Sequence, residues 1–425
     1  MEKNKVLPAG WAEAKLGEIC NIKTGDKDVN EGSFNGEYPF FTCSKDVYRF
    51  TTYSFEGEAI LVAGNGNFNV KKYFGKFEAY QRTYVLQKFD ADYAYLYYYL
   101  SGNLDELTKD NRGSTVRYIR IGNLTEFNVR IPPLNEQHRI VERLEELFSE
   151  LDAGVKALKT AQEQLMVYRQ AVLKDAFERK LIKKDDGLEW KWTTLGTFAE
   201  NIRIGPFGTL LHESDYVANG TPIINPKHIK NQKILHDCMV TVSTEKLKEL
   251  SSYILKENDI ILGRRGEMGR TAYITEREDG WICGTGSMII RLKNGNLAKV
   301  YSLLLSEKRV INYLKNNCTG TTMSNLNEKI VKSIPIPIIP FDEQKIIFDE
   351  IETRFSLCDN FEETIEQSLA KAETLRQSIL QRAFAGQLVE QDPNDEPACK
   401  LLERIRLARE NDKVEKEAAK GRTKK

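Results

Sequence analysis

The chain has 425 residues, 41% of them hydrophobic and 29% charged, the balance of a soluble globular protein with room for two to four domains. No run of about 18 apolar residues occurs, which excludes a transmembrane helix, and the start Met-Glu-Lys-Asn-Lys lacks the apolar stretch of a signal peptide. Formal net charge is zero, yet residues 188–340 hold 20 Lys/Arg against 15 Asp/Glu and residues 341–391 hold 5 against 11, so a neutral total hides a basic segment followed by an acidic one.

Residues 1–133 read as a first head of mixed α/β character, opened by Trp11 and Leu16-Gly17. The apolar run Ala59-Ile60-Leu61-Val62 predicts a strand that runs into a glycine-rich turn, Ala63-Gly64-Asn65-Gly66-Asn67. Lys71, Lys72 and Arg82 follow, a helix is expected near 90–101, and Gly113-Ser114-Thr115-Val116-Arg117 is a small-residue loop. Asparagine suits an adenine edge and lysine a phosphate, so this turn is a candidate DNA contact. A plain surface turn with solvated charges uses the same residue types.

From 134 to 184 the pattern becomes helical. Val141, Leu144, Phe148, Leu151, Val155, Leu158, Gln162, Leu165, Arg169, Val172 and Ala176 recur at alternating spacings of three and four, the seam of a coiled coil. The helix follows Pro132-Pro133, with Asn135 as the expected N-cap. Glu136 to Leu181 spans roughly 68 Å at ~1.5 Å per residue.

Residues 185–340 read as a second head, opened by Trp190 and Leu195-Gly196. It carries the loop Ile204-Gly205-Pro206-Phe207-Gly208-Thr209 and a strand at Asp259-Ile260-Ile261-Leu262. The strand enters the turn Gly263-Arg264-Arg265-Gly266-Glu267-Met268-Gly269-Arg270, whose three arginines offer forked donors for phosphate or a guanine edge. A helical stretch is expected near 297–315.

Residues 341–391 repeat the first helix. Asn135-Glu136-Gln137-His138-Arg139-Ile140 returns as Asp342-Glu343-Gln344-Lys345-Ile346-Ile347, and Arg169-Gln170-Ala171-Val172-Leu173 as Arg376-Gln377-Ser378-Ile379-Leu380, each 207 positions later. The stripe returns as Phe348, Ile351, Phe355, Cys358, Glu362, Ile365, Leu369, Ala372, Arg376, Ile379 and Ala383, with no insertion or deletion. So narrow a stripe needs a partner, either the other copy in antiparallel pairing or a second chain. Leu144, Phe148, Leu151, Leu158, Leu165, Ile351, Phe355, Ile365, Leu369 and Ile379 are the expected packing positions. The acidic Glu350, Glu352, Glu362, Glu363 and Glu366 are expected to face protein partners or solvent. Residues 392–425 read as a separate charged tail, with a fraying helix from Leu401 to Lys425.

The heads repeat less strictly. Gly113-Ser114-Thr115 maps onto Gly320-Thr321-Thr322 at 207, whereas Trp11 maps onto Trp190 at 179, so the second head holds about 28 more residues. Helices are kept in length while heads vary. That pattern predicts an α+β protein with two differently tuned heads on a fixed frame and a pseudo-twofold internal repeat.

Catalytic motifs are missing. Asn225-Pro226-Lys227 lacks the Asn/Asp-Pro-Pro-aromatic element of an amino-methyltransferase, no phosphate-binding loop occurs, and Gly64-Asn65-Gly66 lacks the third glycine of a dinucleotide site. Glu189-Trp190-Lys191 echoes a nuclease Glu-x-Lys but sits opposite Trp11 and reads as structural. His138, His212, His228 and His236 have no metal spacing, and seven scattered cysteines without Cys-x-x-Cys argue against disulfides or zinc. A cytoplasmic location is expected.

In order along the chain, Trp…Leu-Gly, Ile-Gly-Pro-Phe-Gly at 204–208, Asp-Ile-Ile-Leu-Gly-Arg-Arg-Gly at 259–266, Thr319 to Leu326, Pro-x-x-Glu-Gln at 133–137 and 340–344 and the Arg-Gln-x-x-Leu-x-x-Ala-Phe endings resemble the specificity subunit of Type I restriction–modification enzymes. The Asp392-Pro393-Asn394-Asp395-Glu396-Pro397 lead-in to the tail is similar too. The resemblance implies two target-recognition domains joined by two long antiparallel helices. It also implies that the chain selects double-stranded DNA for two methyltransferase subunits and for restriction/translocase subunits. S-adenosylmethionine, ATP and Mg²⁺ would belong to those partners and none to this chain; no membrane association is implied. Candidate DNA contacts are Lys23, Thr24, Asn65, Asn67, Lys71, Lys72, Arg82, Thr115 and Arg117 in the first head. In the second they are Arg203, Thr209, His228, Arg264, Arg265, Arg270, Thr321, Thr322 and Ser324. The rival readings are a single-chain restriction or methylation enzyme and a coiled-coil scaffold that does not bind DNA.

Overall fold

The computed structural model describes residues 7–33, 35–182, 189–318 and 325–422. The chain divides into two compact units, Met1–Leu158 with Gln367–Lys425, and Lys159–Glu366. Both borders fall inside a long helix, so each unit holds one head and part of each helix.

In the first unit a six-stranded sheet runs in the order Asn21–Thr24, Thr83–Gln87, Phe55–Ala63, Val70–Ala79, Tyr38–Phe41, Val47–Phe50. Its neighbours are antiparallel except Tyr38–Phe41 with Val70–Ala79. Strand alternation sends Ile60, Val62 and Leu86 to one face, into a core shared with Tyr95, Leu96 and Leu100 of the helix Tyr93–Gly102. Ala59, Leu61, Phe77 and Val85 build a smaller core on the other face.

In the second unit an antiparallel sheet runs Ala199–Ile204, Ser287–Leu292, Ile260–Gly263, Thr271–Tyr273. A further sheet of short strands, in the order Tyr216–Val217, Thr241–Val242, Thr221–Ile224, Ile282–Cys283, is interleaved with it in sequence. The expected helical stretch is two helices, Ala298–Leu305 and Lys308–Asn317. They break where the Glu307 carboxylate accepts the Arg309 amide at 3.1 Å, an N-cap contact that restarts the helix.

Each head is pinned to its helix by the same bonds. Trp11 Nε1–H donates to Glu136 at 3.0 Å, and Trp190 Nε1–H donates to Glu343 at 2.7 Å. The Gln137 amide donates to the Pro132 carbonyl at 2.9 Å, and that of Gln344 to Ile339 at 2.7 Å. Short antiparallel pairs, Ala12–Lys15 with Asn128–Ile131 and Trp192–Thr194 with Pro335–Pro337, bring each head's opening strand beside the residues that precede its helix. The Pro-x-x-Glu-Gln motif is therefore a clamp: Glu holds the tryptophan, and Gln satisfies a buried carbonyl of the segment that leads into the helix.

The long helices are Leu134–Phe177 and Phe341–Phe384, 44 residues each. They begin one residue before the expected caps, and the Asn135 amide instead donates to Asp395 at 3.0 Å. Within each unit the helix parts run antiparallel. In the first, Asp152 meets Arg376, and Asn135 and Arg139 meet Asp395 and Glu390, which follow the other helix's end; in the second, Arg169 meets Asp359, and Arg179, just past its helix, meets Glu343 near the start of the other. The seam is built as its spacing predicts. Leu144, Phe148, Ile351, Phe355, Ile365 and Ile379 are buried, and Leu151, Leu158, Leu165 and Leu369 are half-buried. Fully burying one such side chain contributes about 1.5–3 kcal/mol.

Two expectations are corrected. The C-terminal segment is not a separate tail: the helix Ala398–Arg422 buries Ala398, Leu402 and Ile405 in the first head's core, and Arg409 holds Asp90 at 2.6 Å and the Gly17 carbonyl at 3.0 Å. Nor is the second helix's acidic run all turned outward. Half-buried Glu362 accepts from Asn231 at 2.8 Å, beside Asp359, which takes Arg169 and Lys233. The hairpin Ile229–Ile234 supplies Asn231 and Lys233, so its polar tip neutralises the helix locally.

Candidate nucleic-acid interface

In the first head the Gly64–Asn67 turn and the 112–118 loop meet. Asn65 forms a bridge with Tyr118, the Gly66 amide donates to the Arg117 carbonyl at 2.8 Å, and the Ile119 amide donates to the Gly64 carbonyl at 2.9 Å. The Gly64 amide in turn donates to the Arg82 carbonyl at 2.8 Å. A Cβ on Gly64 would stand 2.4 Å from that carbonyl, so only glycine lets the turn approach this closely. Thr24 pairs with Tyr84 at the same end of the sheet. Exposed Thr24, Asn67, Arg82, Thr115 and Arg117 and half-exposed Asn65 thus share one end of the head, with exposed Lys23 beside them.

The two lysines part company. Lys71 is half-buried, its ammonium bound to the Ser44 and Thr42 carbonyls, and burial pushes its pKa down. Lys72, one residue on and therefore on the opposite face of the strand, pairs with Glu145 of the long helix at 3.4 Å and lies over Tyr97 and Tyr98. It is placed to brace the head against its helix. Arg112 was missed: its backbone exchanges two hydrogen bonds with Tyr118, which sets its exposed side chain at the base of the same loop. No spacing signal marks it, since the loop closes through backbone bonds.

In the second head the turn is built the same way. The Leu326 amide donates to the Arg264 carbonyl at 3.0 Å, Arg265 bridges Asn325, and the Gly263 amide donates to the Arg270 carbonyl at 2.8 Å. The three arginines differ in their surroundings. Arg264 is buried and donates from Nε to Asn325 at 2.9 Å; burial, then the charge of Arg265, lowers its pKa. Arg270 is folded onto Glu267 at 2.6 Å and onto the Pro226 carbonyl at 3.1 Å. Arg265 is half-exposed, and among the described residues it forms no ion pair.

His228 is corrected from surface to interior. It is 5% exposed, its Nδ1 bonded to Ile223 O at 3.0 Å, and burial lowers its pKa, so it braces the 223–228 turn as a neutral ring. Arg203 donates to the Ser252 carbonyl at 3.0 Å, away from the turn's bonds. Thr321, Thr322 and Ser324 lie outside the described residues, as does the side chain of Thr209. No group of three or more His, Cys, Asp or Glu residues among the described ones is arranged to hold a metal, and no described helix is long and apolar enough to cross a membrane.

Two heads of one design, each presenting a glycine-rich turn tied by backbone bonds to a later segment, match the model of the Type I restriction modification DNA specificity domain at residues 8–160 and again at 189–371. The chain belongs to that family. The family's specificity subunits are non-catalytic components that recognise DNA sequence. The chain is 30% identical to the Type I restriction enzyme EcoDI specificity subunit of Escherichia coli, over 95% of this chain and 96% of that one. It is 24% identical to the EcoBI specificity subunit of the same organism, over 74% and 71%. A chain solved in work on complex assembly and conformational transition of the type I R-M system has the same fold, with a TM-score of 0.64 at 17% identity over 90% of this chain and 99% of that one.

Proposed function

We propose that this specificity subunit reads an asymmetric, two-part DNA target, one head per half-site. The observation that carries the reading is the duplicated turn. Both heads present it on equivalent backbone bonds, but with Asn65 and Asn67 in one and Arg265 in the other. Equal frames with unlike side chains suit two half-sites of different sequence. A pseudo-twofold arrangement of the heads would set the half-sites on opposite strands. The long helices, equal in length and packed over an unbroken repeat, would then act as a spacer that leaves a set number of base pairs unread. The same repeat offers two equivalent docking places to two methyltransferase subunits, with restriction/translocase subunits joining that complex. S-adenosylmethionine, ATP and Mg²⁺ would act on those partners.

Sequencing methylated DNA from a host that expresses the chain with its partner subunits tests the reading. The expected result is one motif of two unlike parts separated by a constant gap. A continuous motif, a palindrome or no motif would overturn it.

A further inference from the structure

The two turns can be aligned residue by residue through backbone bonds. Ile119 and Leu326, 207 positions apart, donate to Gly64 and Arg264; Tyr118 and Asn325, again 207 apart, bridge Asn65 and Arg265. Asn65 and Arg265 therefore occupy one equivalent station. The preceding station is not interchangeable, because a side chain at Gly64 would strike the Arg82 carbonyl and the Tyr84 ring, at 2.4 and 2.8 Å, while Arg264 is buried and spent on Asn325.

Both side chains at the shared station are half-exposed, and each backbone is pinned by one isolated bridge to the later segment. Among the described residues neither holds a hydrogen-bonding side-chain partner. Their neighbours differ on this point: Lys71, Arg264 and Arg270 are all engaged within the protein. A fixed backbone with an uncommitted forked side chain is what base readout requires, since the side chain must meet a base edge without first giving up a bond.

We infer that Asn65 and Arg265 are the equivalent specificity-determining residues of the two heads, Asn65 reading an adenine edge and Arg265 a guanine edge in the major groove. The inference rests on the two-part reading above. Arg264 is a positioning residue: it holds Asn325, the residue that pins Arg265.

The test is exchange within the complex. Asn65→Arg and Arg265→Asn are each expressed with the partner subunits, and the methylated motif is sequenced. Each variant is expected to change the preferred base at one position of one half-site, with the other half-site and the gap unchanged. Discrimination at the original base should fall about tenfold or more. If an exchange variant is inactive, Asn65→Ala or Arg265→Ala decides: relaxed preference at one position supports the assignment. An unchanged motif, or equal loss at both half-sites, overturns it. A wild-type complex without a two-part motif would instead sink the functional reading itself.

Discussion

The guanidinium of Arg376 lies over the ring of Phe148, 4.4 Å from its centroid, and binds Asp152 one turn further on. In the other unit Arg169 lies 4.9 Å from the ring of Phe355 and binds Asp359. Each residue of one trio is 207 positions from its counterpart in the other, and the two helices have exchanged roles. The polar members of the stripe, which interrupt an otherwise apolar seam, are thus its register pins: an arginine at a core position is stable only where an aromatic face and a carboxylate wait for it.

The two pins differ in burial, so they should differ in worth. The Arg169 side chain is 9% exposed and Arg376 28%, with Asp152 66% exposed. Arg169→Ala is expected to cost about 1–3 kcal/mol, since it takes a buried guanidinium from the Phe355 ring and leaves half-buried Asp359 to Lys233 alone, and Arg376→Ala up to about 1 kcal/mol. Urea unfolding of the two variants measures this. Equal losses would refute the burial argument.

Glu136 and Glu343 hold equivalent tryptophans but not equivalent cations. Arg179 binds Glu343 at 2.6 Å; the equivalent position in the first unit is Gly386. Burial raises the pKa of Glu136, against the opposing effect of its Trp11 bond. With the folded pKa above the unfolded one, the stability this group adds is complete below the unfolded value and is lost as pH climbs through the folded value. Glu136→Gln should therefore be tolerated at neutral pH, and the wild type should lose stability relative to it as pH rises above the ordinary glutamate range. Glu343→Gln removes an ion pair and should destabilise at neutral pH. Thermal melts across pH check both, and the idea fails if wild type gains on Glu136→Gln as pH rises.

Docking of the C-terminal helix predicts that it stabilises the first head. Leu402→Ala should cost about 2–4 kcal/mol, as deletion of a buried leucine side chain does, and removal of residues 392–425 should cost more. Limited proteolysis of the first head is the readout. Indifference to truncation would mean that the packing of Leu402 and Ile405 contributes nothing in solution.

Lys72 and Arg117 make opposite forecasts for DNA binding. Arg117→Ala should lower the slope of log affinity against log salt by about 1, as loss of one phosphate contact does. Lys72→Ala should leave the slope alone, because its charge is paired with Glu145 and turned to the helix. A slope change in Lys72→Ala equal to that in Arg117→Ala would move Lys72 back into the interface.

If the helices set the gap between half-sites, deleting seven residues from one of them should shorten the gap or abolish binding while each head still folds. Circular dichroism with methylome sequencing separates these outcomes. An active enzyme with an unaltered gap would end the spacer proposal.

Read alone, the sequence determined what depends on local spacing. Alternating steps of three and four placed the seam, and the unbroken repeat equated the two helices. Glycine between polar residues located both turns, because such signals are carried by neighbours along the chain. Tertiary structure decided which charges are available. Lys71 and Lys72 look alike in sequence, yet strand alternation sends one to carbonyls and the other to the helix. Arg264, Arg265 and Arg270 share one turn, yet burial and long-range bonds leave only Arg265 uncommitted among them. His228 went inside and the tail became core. Each of these outcomes rests on contacts between residues far apart in the chain, where desolvation and available partners, rather than residue type, set what a charge can do.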